Sequence, residues 1–194
     1  MKKLALLLLF ASLSINSFAQ YYMASSCEIS FFSETPMENI EAVNTAAKPI
    51  LNIATNDIQV KISIAAFVFK KPLMEEHFNE NYMETDKKGA KDDKGNDTYP
   101  NKYAIFKGKI DDKIDFTKDG EYKVTVTGKL DMHGVVKDRT LEGKIVIKDG
   151  KINLESKFNI HIADHNIKVP SLYVKNIAED VAVSVKATLE PFKK

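Results

Sequence analysis

The chain has 194 residues, of which 44% are hydrophobic and 28% charged, with 28 Lys plus Arg against 27 Asp plus Glu. This length and composition predict one globular domain rather than a fibrous or low-complexity chain. A net charge of +1 and a single arginine, Arg139, argue against nucleic acid as a partner. The lone cysteine, Cys27, excludes an intramolecular disulfide and a metal site built from cysteines alone.

The N-terminus has the pattern of a secretory signal peptide. Two lysines precede the apolar run at residues 4–15, and the segment ends in small residues at Ala19. The run is too short for a membrane-spanning helix, which needs roughly 20 residues. We therefore expect residues 1–19 to be cleaved near Ala19, with no stable membrane anchor left on the domain at residues 20–194. Cleavage would place the protein in the periplasm or outside the cell, and losing two lysines would change its net charge from +1 to −1.

Alternating apolar and polar residues predict that most of the mature chain forms β-strands. The clearest run is residues 151–162, and similar alternation occurs at 121–132 and 181–189. A slip of phase at Ala65-Ala66 predicts a β-bulge within another run, residues 58–69. The count is about nine strands. The remaining strand-like runs are residues 27–33, 40–45, 49–54, 102–110 and 141–148.

Turn residues and one helical segment complete the prediction. Asp119-Gly120 and Asp149-Gly150 predict tight hairpin turns. Residues 72–84 predict the one helix, because large apolar side chains recur there at spacings near four. A single short helix in an all-β chain is typical of a closed antiparallel barrel or a sandwich. Runs of about twelve residues span roughly 40 Å at about 3.3 Å per residue, which favours the tilted strands of a barrel.

Several segments of the sequence resemble the YceI-like family of exported lipid- or polyisoprenoid-binding proteins, and in particular its Bacteroidetes-type branch. They are residues 29–44, beginning ISFFSETP, residues 67–84, containing EHFNENYME, residues 106–110 (FKGKI), residues 128–135 (GKLDMHGV) and Val169-Pro170 before the last strand. The resemblance covers residues 22–189, and EHFNENYME is its most specific part. It implies a lipocalin-like antiparallel β-barrel of about eight strands with one short helix.

The same resemblance implies a function. Family members bind a long apolar ligand, such as a polyisoprenoid, an isoprenoid quinone or a fatty amide, inside the barrel. We therefore expect a binding or carrier protein that is not an enzyme and holds no metal and no cofactor beyond its lipid. The resemblance also leaves a homodimer open. The sequence departs from the family pattern in a polar insert at residues 88–98, which we interpret as a solvated, mobile loop.

Large side chains in or beside the strands are candidates to line such an interior, and the alternative for each of them is that it simply fills the core. Burying about ten methylene groups of a ligand contributes on the order of 8 kcal/mol before association costs. The candidate lining residues are Phe31, Val60, Ile62, Phe67, Phe69, Phe78, Tyr82, Phe106, Val126 and Phe158.

Polar side chains near strand ends are candidates to contact a ligand head group. They are His77, Asn79, Asn81, His133 and Lys168. Because the chain has one arginine, paired arginine side chains cannot hold an anionic head. We expect such a head to rely on lysines or backbone groups.

Two other classes of function stay open. The first is a structural or protein-interaction barrel whose core is filled. The second is an enzyme that acts on a lipid head with His133 or His77 as acid or base. His161 and His165 have a metal-binding spacing only for a helix, and no zinc-protease motif, nucleophile elbow or phosphate loop occurs in the sequence.

Overall fold

The structure, a computed structural model, describes residues 20–34, 39–168 and 178–192. The predicted signal peptide and Val169-Pro170 lie outside these residues. No helix in the described ranges is long and apolar enough to cross a membrane. The strands are β1 Tyr21–Ser33, β2 Ile40–Asn44, β3 Ile50–Asn52, β4 Asp57–Ser63, β5 Val68–Phe69, β6 Tyr103–Ile110, β7 Gly120–Met132, β8 Val135–Lys148, β9 Lys151–His161 and β10 Asp180–Phe192.

Among the described residues, the helices are short. The α-helix α1, Pro72–His77, continues directly as a π-helix, Phe78–Tyr82, so the predicted helix ends two residues early. Two 3-10 helices lie at Ile64–Ala66 and Ile162–His165.

The strands form one antiparallel sheet that closes on itself. One edge of β1 pairs with β10, and its other edge pairs with β3 near the start and with β2 near the end. Because β3 pairs with β4 while β2 pairs with β5, these four short strands fill two positions in the wall. The ten described strands therefore fill eight positions of a closed barrel. The predicted lipocalin-like antiparallel barrel with one short helix is confirmed.

A buried amide explains why two wall positions are each split into two strands. Asn44 is fully buried. Its Nδ2 donates to the carbonyl of Ser63 at 2.8 Å, and its Oδ1 accepts from the backbone N–H of Ala46 at 2.9 Å. The Asn44 side chain thus takes the place of a neighbouring strand for backbone groups at the ends of β2 and β4.

The predicted β-bulge at Ala65-Ala66 is wrong. The chain instead makes a 3-10 turn, Ile64–Ala66, in which the Phe67 N–H donates to the carbonyl of Ile64 at 3.2 Å. A full turn, rather than one extra residue, ends β4, and Phe67 and Phe69 after it are buried in the interior.

Of the two predicted hairpin turns, one is confirmed and one is wrong. Asp149-Gly150 has φ of 52° and 73° and joins β8 to β9, as a type I′ turn requires, so that prediction is confirmed. His133-Gly134 makes the same kind of turn between β7 and β8, with φ of 54° and 72°. The hairpin at Asp119-Gly120 is wrong, because residues 111–119 form a longer loop. The Asp111 and Asp112 carboxylates in this loop accept hydrogen bonds from β7.

One end of the barrel is filled by packed side chains. In register, Ile147 lies opposite Ile152, and Ile152 lies opposite Leu189 on β10. Leu51 and Ile110 complete this layer, and all five are almost completely buried. This packed layer, called the closed end, lies beside the Asp149-Gly150 turn.

Candidate ligand-binding cavity

Beyond the closed end, the barrel interior is a cavity of about 710 Å³. This volume is in the range of small-molecule sites, roughly 300 to 1,000 Å³. The structure brings all ten candidate lining residues together on its wall. They are Phe31, Val60, Ile62, Phe67, Phe69, Phe78, Tyr82, Phe106, Val126 and Phe158. Their contact with a ligand stays a prediction.

Four phenylalanines form an aromatic cluster at the end of the cavity away from the closed end. Phe31 lies on β1, Phe67 and Phe69 lie around the start of β5, and Phe78 lies in the helix. Ring centroids are 5.0 to 6.0 Å apart, mostly with tilted or edge-to-face rings. Such contacts add stability beyond area burial. The cluster therefore fixes the helix against the barrel.

The helix covers this end of the cavity with one face. Pro72 begins α1 at a position where its missing N–H costs nothing. The Phe69 N–H donates to Glu75 Oε2 at 3.2 Å, which ties the first turn to β5. The lining residues recur at spacings of three and four, as one helical face requires. They are Met74, His77, Phe78, Asn81 and Tyr82.

The five head-group candidates do not come together. His77 and Asn81 line the cavity, whereas the other three do not. Asn79 donates from Nδ2 to the carbonyl of Glu75 at 3.0 Å. His133 directs Nδ1 to the carbonyl of His165, 3.1 Å away, and Lys168 is exposed. Sequence spacing could not show which side of the helix or turn each group occupies.

The barrel wall is open between β8 and β9. β8 pairs with β7 along all of β7, but pairs with β9 only from the Gly143–Ser156 pair to the turn. In the described part of the chain, no strand pairs with this edge of β8 at residues 136–142 or with the facing edge of β9 at residues 157–161. We call this gap the side window.

The cavity reaches the side window. Phe158 and Ile160, on the inward face of β9 along the gap, line the cavity. So do Glu142, Lys144 and Glu155, whose places in the register lie on the outer face. Residues from the inner and the outer face of the sheet therefore line the same cavity at the point where β8 and β9 separate. The side window is therefore an opening from the apolar interior to the surface.

The far edge of the side window is closed by the 3-10 helix Ile162–His165. His165 is fully buried, and its Nδ1 is 3.2 Å from both the Met132 and the Val135 carbonyl oxygens, so the ring donates to the two ends of the hairpin turn. Burial lowers the pKa of His165, opposed in part by these two hydrogen bonds. The neutral ring thus joins the end of β9 to the β7–β8 hairpin.

Arg139 is a cation at the side window that we did not predict as a site residue. It lies on β8 and lines the cavity, with a side chain 20% exposed. Its Nε and Nη2 atoms are buried and have no hydrogen-bond partner among the described residues. Asp164 Oδ2 is 3.6 Å from Nη2, across the window. The sequence contains a signal for this position, because Arg139 is two residues before the inward-facing Leu141 and alternate residues of a strand face the same side. It was missed because the predicted strand began at residue 141.

The Cys27 thiol does not line the cavity. Cys27 is buried on β1, where burial, with a smaller effect of Glu28, raises the pKa of its thiol to about 11. It therefore acts as a small apolar residue. Among the described residues, no three His, Cys, Asp or Glu side chains form a group that could hold a metal ion.

Fold and cavity together define a closed lipocalin-like barrel with an apolar interior. A family model, the YceI-like domain, matches residues 25–189, and the chain belongs to the YceI-like family. A search of curated proteins found no match.

Solved structures show the same fold. A polyisoprenoid-binding domain from Saccharophagus degradans is 14% identical with a TM-score of 0.71, covering 90% of this chain and 99% of that chain. BcnA from Burkholderia cenocepacia is 15% identical with a TM-score of 0.64, covering 84% and 95%. A YceI protein from Campylobacter jejuni is 17% identical with a TM-score of 0.53, covering 77% and 81%.

Proposed function

We propose that the protein binds and carries a long apolar molecule in the barrel interior without covalent chemistry. Polyisoprenoids, isoprenoid quinones and fatty amides are the ligand classes considered. The observation that carries the proposal is the cavity of about 710 Å³, lined mainly by apolar side chains. The polyisoprenoid-binding domain from Saccharophagus degradans, which has the same fold, adds support for this ligand class.

The cavity favours this proposal over a structural barrel with a filled interior. A purely structural barrel gains stability by filling its interior, since empty space forfeits packing contacts. An enzyme needs an acid or base that faces the ligand, and of the two candidates only His77 lines the cavity. Apolar contact alone accounts for binding, because about ten buried methylene groups contribute on the order of 8 kcal/mol before association costs.

We also propose that the protein works outside the cytoplasm. The N-terminal pattern of two lysines, an apolar run and small residues at Ala19 supports export. An apolar chain is poorly soluble in an aqueous compartment, and a barrel that encloses it removes that cost. Purified, processed protein sequenced from its N-terminus should begin near Gln20.

Filling the cavity tests the proposed function. Val126 lines the cavity midway along β7, so Val126→Trp places an indole where the ligand would lie. We expect geranylgeraniol to raise the melting temperature of the wild-type protein and to leave that of Val126→Trp unchanged. Thermal melting with and without the lipid measures both.

The matched control is Lys123→Trp, which adds the same ring at an exposed position of the same strand. It should bind geranylgeraniol as the wild type does. If a folded Val126→Trp variant gains as much stability from the lipid as the wild type, the ligand does not lie in the barrel and the proposal is wrong.

A further inference from the structure

We propose that Arg139 binds an oxyanion, a carboxylate or a phosphate, at the head of a single-chain lipid whose tail lies in the cavity. The head would lie in the side window. This inference rests on the proposed function and specifies the chemical class of its ligand.

The first argument is the state of the guanidinium. Nε and Nη2 of Arg139 are buried, and neither has a hydrogen-bond partner among the described residues. Buried N–H donors without acceptors are costly, and more so when they are charged. The planar guanidinium offers donors in a fork that matches two oxygens of a carboxylate or phosphate. A bound oxyanion would supply the acceptors that these donors lack.

The second argument is position. Arg139 lies on the edge of β8 that has no strand partner, where the cavity opens. Asp164 Oδ2, 3.6 Å from Nη2, lies on the opposite side of the side window. This distance is beyond a hydrogen bond, so Asp164 attracts the guanidinium into the window without satisfying its donors.

The third argument is that the other lysine or arginine side chain on the described lining is already paired. Lys144 Nζ is 2.7 Å from Glu121 Oε1 on the neighbouring strand. Arg139 is therefore the cation that a ligand head can reach without breaking a close ion pair.

The wall beside Arg139 fits an apolar tail. Arg139 lies opposite Gly128, and Gly128 lies opposite Gly108 on β6. A Cβ at position 128 or 108 would lie 2.9 or 2.7 Å from Phe106 Cζ, so the Phe106 ring occupies the space that side chains there would take. The cavity surface is thus apolar up to the guanidinium. A tail along Phe106 would bring its head to Arg139.

The experiment compares three lipids of equal chain length that differ only in the head. Hexadecanoic acid, hexadecyl phosphate and hexadecanol are titrated below their aggregation concentrations, at a pH where both acids are ionised. We expect the wild type to bind the acid and the phosphate about tenfold more tightly than the alcohol. Arg139→Met should lose this preference and bind the acid and the phosphate no more tightly than hexadecanol.

Lys129→Met is the matched control, because it removes the same charge from an exposed side chain one residue from Gly128. It should keep the wild-type preference. Arg139→Gln provides a second variant if Arg139→Met does not fold. Asp164→Asn should tighten binding of the acid several-fold and leave the alcohol unaffected, since it removes a carboxylate that competes for the guanidinium.

The outcomes separate the two proposals. Wild-type protein that binds all three lipids equally, or an Arg139→Met variant that retains the preference, contradicts the role of Arg139 and leaves the proposed function intact. A wild type that binds none of the three contradicts both. Preference for the phosphate alone would assign a phosphorylated head, and preference for the acid alone a fatty carboxylate.

Discussion

The two edges of β8 are treated differently by the fold. One edge pairs with β7 along the whole of β7, whereas the other pairs with β9 only from Gly143 to Lys148. Both edges belong to the same strand, in which apolar and polar side chains alternate in one pattern. This pattern alone therefore does not determine which edge is fully paired. A barrel can therefore be closed as a sheet and still open through its wall, provided that other contacts hold the parted strands.

On the paired side of β8, β7 approaches the backbone of β6 closely at Gly128. We expect a side chain at this position to cause the largest loss in the free energy of unfolding. An added Cβ at Gly128 would overlap the Lys107 carbonyl oxygen and lie 2.5 Å from the Gly108 Cα, both in the neighbouring strand. We expect Gly128→Ala to lower the free energy of unfolding by about 3 kcal/mol. Chemical denaturation of the two proteins measures the difference.

Gly143→Ala is the comparison on the parting edge. Its Cβ would lie 2.8 Å from the Glu155 carbonyl oxygen, at the point where β8 and β9 already separate. We expect about half the loss of Gly128→Ala, because the strands can give way there. Equal losses in the two variants would show that the two edges are equally rigid.

His165 holds the unpaired edge of β8 to the end of β9. We expect its contribution to the free energy of unfolding to be smaller than the effect of Gly128→Ala and to depend on pH. Burial lowers the pKa of His165, with a small contribution from Arg139 and an opposite one from Asp164. The unfolded chain therefore takes up a proton first as pH falls below about 6.5. We expect this residue to reduce the free energy of unfolding by at most about 1.4 kcal/mol per pH unit, until the folded-state pKa is reached.

Denaturation curves between neutral and acidic pH measure this slope in the wild type and in His165→Asn. The asparagine amide can donate to the same carbonyls and does not titrate, so the variant should show a flatter acid slope. His161→Gln is the control for a histidine whose ring is partly exposed beside Asp180 and makes no contact with the β7–β8 hairpin. An unchanged slope in His165→Asn would show that His165 is not the group responsible.

Much of the barrel could be predicted from alternation, because each inward position must be apolar to be buried. The runs at residues 151–162 and 121–132 became β9 and β7, and the ten lining residues all face one cavity. The Asp-Gly turn at residue 149 was predictable because both of its residues need positive φ.

The side window and its groups were not predictable from the sequence. Where β8 and β9 part depends on register and coiling of the whole barrel, and the 141–148 prediction stopped short of Arg139. The split strands depend on the buried amide of Asn44, which resembles any polar loop residue in a sequence. A single arginine suggested that no arginine held an anion, whereas the fold placed that arginine at the mouth of the cavity.

Native mass spectrometry of the protein purified from its own cells, followed by organic extraction, tests the central claim most directly. We predict a mass excess matching one long apolar molecule, which is recovered intact in the extract and absent from Val126→Trp. Protein that carries no lipid, and whose melting temperature does not change with added polyprenyl compounds, would contradict a carrier function.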